Sequence, residues 1–141
     1  MKNIIKTVLI TGASNGIGLD LTKKLLAEGI TVIAVNRSGE IADYTHPALT
    51  VLKGDISDEQ SIAAVAAKVT ELGISIDCLI NNAGVGVDFT AEVPTATALN
   101  ASFATNTTGT ALFTEALLNN CRWRADPVPV NYYVVAACSC S

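Results

Sequence analysis

The sequence predicts an α/β domain, an open doubly wound parallel sheet of about five strands in the expected order 3-2-1-4-5. Three observations carry that expectation. Short β-branched apolar runs alternate with segments whose apolar residues recur at helical spacing. The links are short, and a parallel strand pair needs a crossover that is most often a helix. Hydrophobic residues make up 50% of the 141 residues and charged ones 16%, enough to bury the core of one domain and too apolar for disorder.

Ile4 to Thr11 is a β-branched run that stops at Gly12 and reads as a buried parallel strand. From Gly16 the period changes: Ile17, Leu21, Leu25 and Leu26 mark the inward face of a helix that ends at Gly29. Thr31 to Val35 is the second strand. Residues 39–49 contain Pro47 and hold at most one helical turn, and Thr50 to Lys53 is the third strand. Ser57 stands three before Gln60, a capping-box spacing, and opens a helix to about Glu71 with Ile62, Val65, Ala66 and Val69 inward. Asp77 to Ile80 is the fourth strand. After a polar loop with Pro94, a helix should run from Thr95 to Asn120, about 39 Å at ~1.5 Å per residue. Threonines and Gly109 lower its propensity, so burial against the sheet must hold it. A fifth strand is expected at 128–137, with 1–141 forming one domain and an atypical tail at 121–141.

Nine Lys plus Arg against thirteen Asp plus Glu give a net charge of -4, and no basic run supplies a nucleic-acid footprint. No apolar stretch is long enough for a membrane span, and the N-terminal segment lacks the pattern of a secretory signal. Cys78, Cys121, Cys138 and Cys140 have no ligand-like histidine beside them, since the one histidine is His46. Free thiols in a reducing, cytoplasmic compartment and no metal site are the expectation.

Directly after the first strand comes Thr11-Gly12-Ala13-Ser14-Asn15-Gly16-Ile17-Gly18. Gly12 permits a tight turn, Gly16 clears the approach of a pyrophosphate, and Gly18 allows close helix–strand packing. The free N–H groups at the start of the following helix then face the phosphates. After the fourth strand, Asn81-Asn82-Ala83-Gly84 brings two adjacent amides to the carboxyl edge of the sheet, where ligands of such sheets bind. By itself that segment is equally readable as a plain turn.

TGASNGIG resembles the cofactor turn of the short-chain dehydrogenase/reductase family, and NNAG resembles its second signature. The resemblance covers about residues 4 to 120, the first half of a typical member, and implies a Rossmann-like sheet. It also implies reversible hydride transfer between a nicotinamide cofactor and a small carbonyl or alcohol. It assigns Gly12, Ser14, Asn15, Gly16, Ile17 and Gly18 to the cofactor turn, Asp55 and Ile56 to the adenine side, and Asn82, Ala83 and Gly84 to the wall beside the ribose. Asn81 is implied to tie neighbouring strands together. Asn106 matches the family's helix asparagine.

Cofactor choice rests on the end of the second strand. An NAD site normally offers an acid to the adenosine ribose there, whereas this chain has Asn36-Arg37-Ser38. Arg37 suits a charge-assisted contact with a 2'-phosphate, with a solvated surface arginine as the alternative, so NADP(H) is favoured over NAD(H). Asp20 departs from the family pattern, where that helix position is usually small and packed.

The family meets the developing oxyanion with a serine and a Tyr-x-x-x-Lys pair. Asn106 is present, and Ser139 is the serine candidate, with Ser141 beside it. The pair is absent: positions four beyond Tyr44, Tyr132 and Tyr133 are alanines, and no lysine follows Lys68. The segment 121–141 gathers Trp123, Pro127, Pro129 and three of the cysteines, as a truncation or altered frame after about Asn120 would produce. The expectation is an NADP-dependent oxidoreductase by lineage without its full catalytic machinery. The alternatives are a non-catalytic nucleotide-binding or self-associating module, its exposed edge at 133–137, and a fragment that binds little.

Overall fold

The computed structural model describes residues 5–86, 93 and 95–122. Four parallel strands, β1 (Thr7–Thr11), β2 (Thr31–Asn36), β3 (Leu49–Lys53) and β4 (Cys78–Ile80), form one sheet in the order β3-β2-β1-β4. Val8 of β1 pairs with Val32 on one side and Cys78 on the other, and Val32 opposes Leu49. The expected order 3-2-1-4 is therefore present. The fifth strand expected at 128–137, like the rest of 123–141, lies outside the described residues.

Strict alternation along the strands sends side chains to two cores. Leu9, Ile33, Val35 and Leu79 pack with Ile62, Val65 and Val69 of α2 (Glu59–Glu71) and with Phe113 and Leu117 of α4 (Thr110–Leu117). Ile10, Val32 and Ala34 pack on the opposite face under Leu26 of α1 (Gly16–Ala27), with Leu21 and Leu25 partly buried. Each fully buried Leu, Ile or Val contributes about 1.5–3 kcal/mol, and covering both faces is what a parallel sheet requires.

Local chemistry moves several boundaries. Ile17 does not face the core: it is 62% exposed at the tip of α1, whose buried positions are Gly18, Thr22 and Leu26. Asp20 is exposed, so its carboxylate stays in water and costs the helix packing nothing. The cap of α2 is Asp58, whose carboxylate accepts the Gln60 N–H, rather than Ser57, which is drawn back to Asp55. The long helix starts where expected, with Thr95 capping α3 (Ala96–Phe103), but it is not uniform. A π-helical turn at Ala104–Gly109 separates α3 from α4, and a 3₁₀ turn at Leu118–Asn120 ends it.

At the amino edge of the sheet, the Asp77 carboxylate accepts the N–H groups of Lys6 and Thr7 at 2.9 Å each and meets Arg122 at 3.6 Å. Asp77 N–H itself bonds Thr7 toward β1, while Ile76 turns its own groups the other way, to Asn120 and Arg122. The chain leaving the last helix thus touches the sheet beside β4, in parallel, at Ile76 and Cys121. Cys78 and Cys121 are free thiols, and burial pushes the pKa of each up.

Candidate functional site

α1 leaves β1 toward one face of the sheet and α2 returns to β4 on the other, so the order in which strands are added reverses between β1 and β4 while all of them stay parallel. A crevice opens at such a point. Here it has a volume of about 510 Å³ and lies across the carboxyl ends of the strands. Every residue that the sequence assigned to the cofactor lines it: Gly12, Ser14, Asn15, Gly16, Ile17, Gly18, Asn36, Arg37, Asp55, Ile56, Asn82, Ala83 and Gly84. Thr11, Val35, Gly54, Ser57, Val85 and Thr105 complete the lining.

The helix ends differ in how their N–H groups are satisfied. α2 has the Asp58 cap and Glu59 in its first turn, and α3 has the Thr95 hydroxyl on the Ala98 N–H. α1 has neither: Asn15 makes no side-chain cap, and no acid stands in the first turn. Its first helical hydrogen bond is Leu19 N–H to Asn15 carbonyl. The N–H groups ahead of it meet the crevice without a partner among the described residues, at the positive end of the helix dipole. That end is built to receive an anion.

The glycines shape this end by three distinct means. Gly12, at φ +69°, turns the chain sharply while its N–H stays on the Val35 carbonyl at 2.9 Å. Gly16 has φ +52°, and a β-carbon there would meet nothing within 4 Å, so the space above it is free for a ligand. Gly18 is the close-packing position: a β-carbon would collide with the Gly12 carbonyl and stand 2.5 Å from Asn82 Nδ2.

Asn82 locks the turn to β4. Its Nδ2 donates to the carbonyls of Thr11 (3.1 Å) and Gly12 (3.0 Å), and its Oδ1 is buried with no partner among the described residues. The Thr11 hydroxyl accepts the N–H groups of Asn82 and Ala83. Among the described residues it is therefore the side chain of Asn82, not that of Asn81, that ties β4 to β1. Asn81 turns to the helix layer and donates to Thr114 Oγ1 at 3.0 Å.

Asn36 lines the crevice, yet its amide is spent on its own loop. Oδ1 accepts from Gly39 N–H (2.7 Å) and Ser38 Oγ (3.0 Å), and Nδ2 donates to the Glu40 carbonyl. Its work is to set the turn that carries Arg37. Across the crevice, the Ser57 hydroxyl (2.6 Å) and N–H (2.9 Å) bond the Asp55 carboxylate and hold its pKa below the ordinary value of 3.8. Burial opposes the shift, and the Arg37 charge adds to it.

Asn106 does not offer its side chain to the crevice. Its Oδ1 accepts the Val85 N–H at 2.8 Å and its Nδ2 donates to the Val85 carbonyl at 2.7 Å, a reciprocal pair that imitates a strand partner. Thr105, one residue earlier in the same π-helical turn, lines the cavity. Nothing in the sequence marks Thr105, whereas Thr11 stands inside the glycine signature. Ser139 lies outside the described residues. No three His, Cys, Asp or Glu among the described residues gather as a metal site, and no described helix is long and apolar enough to cross a membrane.

Residues 6–126 match the family model for short chain dehydrogenases. An uncharacterised oxidoreductase of Schizosaccharomyces pombe is 34% identical over 119 residues, covering 84% of this chain and 41% of that protein. The ketoacyl reductase HetN of Nostoc is 31% identical over 120 residues, covering 80% and 42%. Among solved structures, a Leptospira borgpetersenii short chain dehydrogenase with bound NAD+ superposes with a TM-score of 0.73 at 28% identity, covering 82% of this chain and 48% of that one. The NADPH-bound carbonyl reductase from chicken fatty liver gives 0.73 at 32% identity, with the same coverages. The chain spans about half the length, or less, of these relatives. With its sheet order, its crevice and both signatures in place, the chain belongs to the short-chain dehydrogenase family.

Proposed function

We propose that this chain forms the nucleotide-binding half of an NADP(H)-dependent oxidoreductase acting on a small carbonyl or alcohol. The observation that carries the reading is the uncapped amino end of α1, open to a crevice that glycines keep clear. The pyrophosphate is held by the N–H groups of that first turn. The wall at Asn82, Ala83 and Gly84 takes a ribose, and the Asp55–Ile56 edge takes the adenine. Arg37 reads the 2'-phosphate, with no acid at the end of β2 to favour an unphosphorylated ribose. Relatives of known structure are described with NAD+, NADH, NADP or NADPH bound, which supports the ligand class and leaves the preference to Arg37.

A bound nicotinamide supplies or accepts the hydride. What these residues add is position: the dinucleotide is fixed at the strand tips, and Asn106 holds the Val85 backbone at the crevice edge. The oxyanion left by carbonyl reduction needs a proton donor, and the 141 residues contain no Tyr-x-x-x-Lys pair. The chain therefore binds nucleotide without turnover on its own.

Titration with NADPH and with NADH, followed by nucleotide fluorescence and by a generic carbonyl-reduction assay, tests both statements. Saturable NADPH binding tighter than NADH, with no reduction, is expected. Absence of saturable binding overturns the nucleotide reading, equal affinities overturn the 2'-phosphate reading, and steady turnover overturns the inactivity.

A further inference from the structure

The helix that closes the crevice changes its winding where it touches the site. Ala96–Phe103 and Thr110–Leu117 are α-helical, while Ala104–Gly109 between them is a π turn. Gly109 lets this turn pack closely: a β-carbon there would run into the main-chain oxygen of Ile56 and stand 2.6 Å from that of Ala104. Thr110 bonds across the turn. Its hydroxyl donates to the Thr105 carbonyl, five residues back, at 3.2 Å. One turn later, in regular helix, the Thr114 hydroxyl donates four residues back, to the Thr110 carbonyl at 2.9 Å. The five-residue reach exists only because the turn is widened, and the bond in turn holds it wide.

The widening sets a phase. Asn106 and Thr114 both bond the stretch after β4, at Val85 and Asn81. In an ideal α-helix, side chains eight positions apart point about 80° away from each other. One extra residue in the intervening turns brings them to within about 20°. Both anchors therefore meet one segment, and Thr105 faces the cavity.

We propose that the Thr110 hydroxyl is a positioning group for the nucleotide site: it holds the π turn that puts Asn106 on Val85 and Thr105 into the crevice. The effect on nucleotide affinity rests on the function proposed above; the effect on Val85 does not.

The test compares the 141-residue chain with Thr110→Val, which keeps the shape and loses the hydroxyl, and Thr110→Ser, which keeps the hydroxyl. Amide hydrogen exchange without nucleotide is read at Val85 and, as a control, at Leu9 in the core. Val85 protection is expected to fall about fivefold in T110V, the loss of one hydrogen bond, and to stay at the original level in T110S, with Leu9 unchanged in both. NADPH affinity is expected to fall in T110V and recover in T110S. Unchanged Val85 protection in T110V overturns the proposal. If T110V also loses Leu9 protection, T110S decides: full Val85 protection supports the hydroxyl's role, and its loss overturns it. A chain that binds no NADPH while Val85 responds as described overturns the nucleotide reading and leaves the π-turn assignment standing.

Discussion

A β-carbon on Gly18 would stand 2.5 Å from the side-chain nitrogen of Asn82, so the glycine turn and the segment after β4 are one packed unit. The amide cannot step aside, because the Thr11 and Gly12 carbonyls both hold it. Gly18→Ala must either push the helix off the strand or break that clamp. A loss of about 1–3 kcal/mol is expected, as for overpacked cores, read from the shift in urea midpoint. An unchanged midpoint would show that the contact yields freely.

Gly16 should behave differently. Nothing lies within 4 Å of a β-carbon there, and only the φ of +52° strains an alanine. Gly16→Ala is expected to cost about 1 kcal/mol of stability. Its methyl group, however, projects into the space assigned to the pyrophosphate, so nucleotide affinity should fall tenfold or more, at about 1.4 kcal/mol per decade. Stability and binding, measured on the same sample, separate the two roles. Equal affinity for G16A and the unsubstituted chain contradicts the proposed phosphate seat.

The contrast between these glycines explains what the sequence reveals and what it hides. Strand and helix periods are local, so the strands were readable from their β-branched apolar runs and the inward face of α2 from Ile62, Val65 and Val69, while the order 3-2-1-4 followed from the rule for doubly wound sheets. The crevice was readable too, because its residues come from two signatures and from strand ends. Hydrogen-bond ownership was not. Whether Asn81 or Asn82 reaches β1 depends on which amide points across the sheet edge, and Asn36 is consumed by a loop whose geometry no period encodes. Ile17 fits a helical stripe in sequence but sits in the first turn, beyond the edge of the sheet that would cover it. The π turn was the deepest omission, since it lies where Gly109 packs against Ile56, a contact far apart in the chain.

Asp55 supplies a pH prediction. Its pKa in the folded chain lies below the ordinary 3.8, chiefly through the Ser57 hydroxyl. A carboxylate with a lowered folded-state pKa contributes stability above its unfolded value and loses it as pH falls through the folded one. Ser57→Ala removes the strongest bond, so the carboxyl pKa of Asp55 should rise toward 3.8 in an NMR titration. The acid-unfolding curve should begin at higher pH. No movement of the titration midpoint would mean that the Ser57 N–H alone sets the shift.

The proposed cofactor preference rests on Arg37, and its removal tests that directly. The residue lies on the turn organised by Asn36, at the crevice and near the Asp55 carboxylate, whose negative charge steers the guanidinium without neutralising a doubly charged phosphate. Arg37→Ala should lower NADPH affinity by about ten- to a hundredfold, the range for hydrogen bonds to charged groups at about 1.5–3 kcal/mol. NADH affinity should change little, because that nucleotide lacks the 2'-phosphate. The NADPH contact should also weaken more than the NADH contact as salt rises toward about 0.15 M, where the screening length is about 8 Å. Parallel losses for both nucleotides would place Arg37 on the shared part of the dinucleotide instead. The control is Asn36→Ala, which leaves the guanidinium in place but frees its loop; a smaller NADPH-selective loss there would mark Asn36 as the support of Arg37.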